Sequence, residues 1–168
     1  MLAIHFLLVP RTYDQSPYAE LIAPLGAAGV AVSVHPLPGR HPPTDSRTVL
    51  AADITVAHLP DNALVMAEAL ALPVIAGSLW LDSHRLRLVA LVDRLLHTAS
   101  GLPARQADLL RRLEQGALSR MRRVLVADAG LAGTVAALGV PSDRIILLPP
   151  VGPERVADLL RELERITA

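Results

Sequence analysis

The chain has 168 residues, 52% of them hydrophobic, with a formal net charge of zero, which suits one ordinary globular domain and not a disordered segment. All sixteen basic residues are arginine and cysteine is absent, which excludes Walker, Schiff-base and general-base lysines, disulfides, thiolate zinc sites and cysteine nucleophiles. Balanced charge and an aromatic content of 2% leave neither a pull toward nucleic acid nor a ring surface on which single strands stack.

The opening apolar run Ala3–Val9, stopped by Pro10, reads as a central parallel strand buried on both faces. It lacks the basic flank and small-residue cleavage site of a signal peptide. After a polar loop, Tyr18–Ala28 is predicted helical, with Leu21, Ile22 and Leu25 on one face, Gly29 as its stop and a kink expected at Pro24. Val30–Val34 is the second predicted strand, and the proline-rich stretch His35–Arg47 a loop. Asp53–Ala57 (DITVA) reads as a third strand, Asn62–Leu70 as a helix, and Pro73–Gly77 (PVIAG) as a fourth strand. Leu86–His97 and Pro103–Met121 are predicted amphipathic helices. Val124–Ala127, Leu131–Leu138 and Arg144–Leu148 give a closing strand, helix and strand, followed by a helix over Glu154–Ile166.

Strands alternating with helices predict an α/β fold: a single Rossmann-like three-layer domain, with a parallel sheet of about six strands and helices on both faces. Its expected extent is residues 1–152, with 153–168 as a helix packing back on it. No apolar run reaches the roughly twenty residues a membrane span needs, so only weak peripheral contact is expected, and the lack of cysteine fits a cytoplasmic setting.

Ligands of open parallel sheets bind beyond the carboxyl ends of the strands, which selects the loops Arg11–Ser16, Pro36–Pro43, His58–Asn62, Ser78–His84, and Asp128–Gly130 with Pro149–Gly152. His58, read as following the third strand, is either a general base or sugar-hydroxyl partner, or a histidine bonded to a loop carbonyl. Asp61 suits the N-cap of the helix expected after it. In Ser78–His84, Asp82 and His84 form an acid–base pair or cap the next helix, while Trp80 stacks on a sugar or plugs the core. Arg11 meets an anionic group or stays solvated. The first loop has no Gly-x-Gly-x-x-Gly, so tight dinucleotide binding is not expected. No Gly-x-Ser-x-Gly elbow occurs and no ligand-spaced metal motif is present. Arg105, Arg111, Arg112, Arg120, Arg122 and Arg123 make one segment locally basic, either a solvated face or a contact for acidic head groups or a partner.

Three segments, SPYAELIAPLGAAGVAVSVH, AADITVAHLPDNALVMAEALALPVIAGSLWLDSH and RRVLVADAGLAGTVAALGVPSDRIILLPPVG, resemble the N-terminal, acceptor-side domain of a family 4 (group 1) glycosyltransferase with the GT-B fold. The order of the three carries the resemblance. Asp14-Gln15-Ser16-Pro17 stands where many members have a glycine-rich loop, and only enough chain for one helix follows Gly152. The resemblance therefore implies half of a nucleotide-sugar-dependent transferase, inactive alone, with His58, Asp82 and His84 as catalytic residues. It implies Arg11, Tyr13, Trp80, Asp128 and Gly152 as substrate-binding residues, no metal and no cofactor. The implied partners are a sugar or glycan acceptor and a second chain carrying the nucleotide-sugar domain, or a homodimer, with no nucleic acid. The alternative is a non-catalytic Rossmann-like binding or interaction module that scaffolds or regulates a partner enzyme.

Overall fold

The computed structural model describes residues 2–9, 19–37, 45–148 and 155–167. Six strands, β1 (Ala3–Leu8), β2 (Ala31–Pro36), β3 (Leu64–Glu68), β4 (Arg87–Val92), β5 (Arg123–Val126) and β6 (Ile145–Leu147), form one sheet in the order β2-β1-β3-β4-β5-β6. Every adjacent pair is parallel. Helices α1 (Ala19–Ala27), α2 (Ser46–Ala57), α3 (Leu72–Asp82), α4 (Ala104–Leu118), α5 (Ala129–Ala137) and α6 (Arg155–Thr167) complete the α/β domain.

Sheet order and helix placement follow from one rule. The crossover from β1 to β2 moves one way along the sheet, while those from β2 onward move the other. Crossovers of a single hand then place α1 on one face and α2 to α5 on the opposite face. The buried residues divide accordingly. Leu21 and Leu25 of α1 pack with Leu159, Leu163 and Ile166 of α6 over Ile4, Phe6, Met66, Val89 and Leu125. Across the sheet, Val56, Ile75, Leu118 and Val135 of α2 to α5 cover Leu7, Val65, Ala90 and Val124. Full burial of each such side chain contributes about 1.5–3 kcal/mol, and the alternation along β1, β3, β4 and β5 supplies both layers. Arg87 also donates to the carbonyl of Thr167 at 3.1 Å, tying the end of α6 to the start of β4.

The six-strand parallel class is as expected, but four consecutive elements exchange type. Asp53–Ala57, expected as a strand, is the last part of α2, which begins where Asp45 accepts the amide of Thr48 at 2.8 Å. Its β-branched Ile54, Thr55 and Val56 yield to that cap and to packing against α3. The stretch expected as the helix Asn62–Leu70 contains β3, buried at every position. Pro73–Gly77 lies in α3, with Pro73 at the start of the helix where its missing N–H costs nothing. Leu86–His97 contains β4, whose buried apolar run Leu88–Val92 has no period to separate it from a buried helix. Pro24 is accommodated inside α1.

Candidate functional site

The exchange of elements moves the expected site. Parallel strands put the loops after β1, β3, β4 and β5 on the carboxyl edge and the segments preceding them on the amino edge. His58–Asn62 and Ser78–His84 precede β3 and β4, so they lie on the amino edge, opposite the ligand-binding side. His58 is the C-cap of α2, exposed, its Nδ1 donating to the carbonyl of Ile54 at 2.7 Å. Asp82 accepts from Nε of Arg85 at 2.6 Å. His84 is exposed and forms no side-chain hydrogen bond among the described residues. Asp61 caps no helix; it lies in the turn before β3 and meets Arg85 at 3.3 Å. Trp80 is 71% exposed, outside the core, with the Arg120 guanidinium 4.5 Å above its ring. Asp82 and the 56–61 segment are thus brought together, but by Arg85 and not as an acid–base pair. Arg11, Tyr13 and Gly152 lie outside the described residues.

Asp128 does lie on the carboxyl edge, after β5, where it caps α5 by accepting the amide of Leu131 at 2.8 Å. Two further carboxylates on this edge escape the sequence reading because β3 and β4 read as helices. Glu68 ends β3 and is 3% exposed; it accepts a hydrogen bond from the backbone amide of Val9, just past β1. Strand order reverses between β1 and β3, so Glu68 bridges the switch point of the sheet. Glu114, fully buried on α4, accepts the amides of Leu96 and His97 at 2.5 and 3.3 Å and Nδ1 of His97 at 2.6 Å. With Nδ1 donating to the carboxylate, Nε2 is the ring atom of His97 left for a ligand.

The fold recurs among solved structures. The product of the ydeN gene of B. subtilis superposes with a TM-score of 0.58 at 13% sequence identity, over 98% of this chain and 100% of that one. At that identity the likeness concerns the fold alone. No protein-family model and no curated protein matches the sequence.

The turn from β3 into α3 reads Ala67-Glu68-Ala69-Leu70-Ala71. Strand-to-helix elbows of this kind present the nucleophile of α/β hydrolases, yet here neither a hydroxyl nor a thiol occurs. Among the described residues no hydroxyl is hydrogen-bonded to an imidazole: Thr48 donates to Asp45 and Thr98 to the Leu95 carbonyl. Among the described residues no three histidine, aspartate or glutamate side chains are grouped to hold a metal ion.

A histidine pair lies on β1 and β2. Register sets His5 opposite Ser33 and His35 opposite Leu7, so the two histidines share one face, diagonally related. His5 Nδ1 and His35 Nε2 are 2.9 Å apart, with ring centroids at 5.2 Å. One nitrogen must accept for the other to donate, so the pair requires at least one neutral ring. Burial lowers the pKa of both rings below the ordinary histidine value, and for His35 the charge of His5 adds to it. The unfolded chain therefore binds more protons than the folded one between the lowered values and about 6.5. The stability contributed by the neutral pair is complete above that window and is lost as pH falls through it. Melting temperature is expected to drop between pH 7.5 and pH 5, and His35→Gln to flatten that part of the curve. An unchanged slope in the variant would assign the drop to other groups.

Proposed function

We propose that this chain is a non-catalytic α/β binding module, acting through what it holds and not through a reaction it turns over. Glu68 carries the reading. At the β1/β3 switch point, where open parallel sheets place reacting ligands, the carboxylate is buried and takes a backbone amide as its donor. Glu114 and Asp128 on the same edge are likewise engaged by backbone amides, and the elbow after β3 is built from alanines around Glu68. Such bonds hold loops in place, and a general acid or base on this edge would have to be an atom they leave over, such as Nε2 of His97.

The test sets purified protein against nucleotide-sugar donors with glycan acceptors and, separately, against p-nitrophenyl esters. No turnover above the buffer rate is expected in either assay. Saturable turnover of about 1 s⁻¹ or faster, in the ordinary enzyme range, overturns the reading. Sugar transfer would then favour the transferase role implied by the resemblance. Loss of that turnover in His97→Gln would assign the chemistry to the imidazole paired with Glu114.

A further inference from the structure

On the amino edge, a cleft of about 400 Å³ is lined by Arg120, Arg122, Arg123, Arg144 and Arg165 with Met121 and Ile166. It lies between the end of α4, the starts of β5 and β6 and the last turn of α6. We propose that this cleft is a binding site for a phosphate-bearing anion of diphosphate size, held by arginine forks. The proposal is independent of whether the carboxyl edge is catalytic.

Charge is the first argument. The chain is neutral overall, yet five guanidiniums line one cavity whose walls, among the described residues, contain no carboxylate. Among the described residues, Arg165 alone of the five has an acidic partner, Glu162. Arg120 rests on Trp80, and Arg122 and Arg144 have no side-chain partner among the described residues. Folding would not gather unpaired like charges without cost, because each pair at close range is repulsive even near the surface. Helix dipoles account for part of the arrangement. Arg120 follows the end of α4 and Arg165 lies in the last turn of α6, where cations gain about 0.3–1 kcal/mol each. Arg122 and Arg123 stand at or before the start of β5, where no such dipole acts, and Arg144 ends a single 3₁₀ turn just before β6.

Donor chemistry is the second argument. Arg123 gives one guanidinium nitrogen to the Arg122 carbonyl at 2.9 Å, while its Nε is buried and has no hydrogen-bond partner. A buried donor left unpaired is costly, so the guanidinium of Arg123, a residue that lines the cleft, is not fully satisfied by the folded chain. The guanidinium fork matches phosphate oxygens two at a time. The volume fits a small anionic group and falls within the ordinary range of ligand pockets. It is not the long groove and ring platform of a nucleic-acid binder.

Trp80 is the single tryptophan of the chain and lies against Arg120, so its emission reports directly on the cleft. Pyrophosphate is expected to change Trp80 fluorescence saturably at constant ionic strength, with calorimetry giving the same midpoint and sodium chloride giving no saturation. Arg122→Gln with Arg144→Gln removes two unpaired cations and should weaken binding at least tenfold without moving the melting temperature. Arg105→Gln with Arg111→Gln, on exposed α4 positions outside the cleft, should leave it unchanged. Vesicles of phosphatidic acid, against phosphatidylcholine alone, separate a lipid-borne phosphate from a free one. Retention on phosphatidic acid that the cleft variant abolishes, with weak pyrophosphate binding, assigns the lipid source. Binding of neither probe, or binding that the cleft variant retains, overturns the site.

Discussion

Replacing Glu114 with leucine is expected to cost about 3 kcal/mol, since the change leaves two amides and an imidazole donor without their acceptor. At this chain length that corresponds to a fall of about 6–12 °C in melting temperature. Glu114 is fully buried, and leucine fills most of its volume, so cavity formation is a small part of the effect. The loss comes from the loop after β4. Leu96, His97 and Thr98 form a single 3₁₀ turn, and both carboxylate oxygens of Glu114 hold its first amides and the His97 ring. Glu114→Gln keeps one acceptor oxygen and should lose less than half as much.

His97→Ala removes only the ring and should cost about 1–1.5 kcal/mol. A double-mutant cycle between positions 97 and 114 should therefore show coupling of about 1 kcal/mol or more, because the two share one hydrogen bond. Chemical denaturation with tryptophan and circular-dichroism readouts measures all four proteins. A Glu114→Leu protein melting within about 2 °C of the parent would show that the loop is held by its apolar neighbours instead.

Much of the fold was legible because its signals were local. The run Ala3–Val9, the Gly29 stop with its positive φ, and the strand–helix–strand ending in β6 each carry their own pattern. The middle of the chain was not legible for the opposite reason. LVMAE in β3 is composed of good helix formers, and it is a strand because β1 and β4 flank it on both sides, a tertiary fact that propensity cannot report. The β-branched pair Val74-Ile75 in α3 and the run Ile54-Thr55-Val56 in α2 are overridden by a proline start and an aspartate cap. Exchanging these elements sent His58, Asp82 and His84 to the wrong edge of the sheet and hid Glu68 and Glu114. Asp128 lies on the carboxyl edge as expected because β5 and α5 carry their own local patterns, and the bond it makes is that of a helix cap.

Arg85→Ala is expected to lower stability by about 3 kcal/mol, near the upper range for a hydrogen-bonded charge stripped of several partners. Its Nε pairs with Asp82 at 2.6 Å, and its terminal nitrogens reach the carbonyls of Val56 at 2.8 Å and Ala57 at 3.2 Å, the carbonyl of Leu59, and Asp61 at 3.3 Å. Those carbonyls belong to the end of α2 and the turn beyond it, where backbone acceptors lack helical partners and a cation is favoured. Arg85 thus fastens α2 to the end of α3 and to the turn that sets β3 in register. Lysine keeps the charge but not the planar fork, so Arg85→Lys should recover less than half of the loss. His84→Gln, one residue away and without a side-chain hydrogen-bond partner among the described residues, should change stability by no more than about 0.5 kcal/mol. Equal losses for His84→Gln and Arg85→Ala in denaturant titrations would mean that His84 belongs to the lock. The expected contrast between them follows from which of the two neighbours holds Asp82.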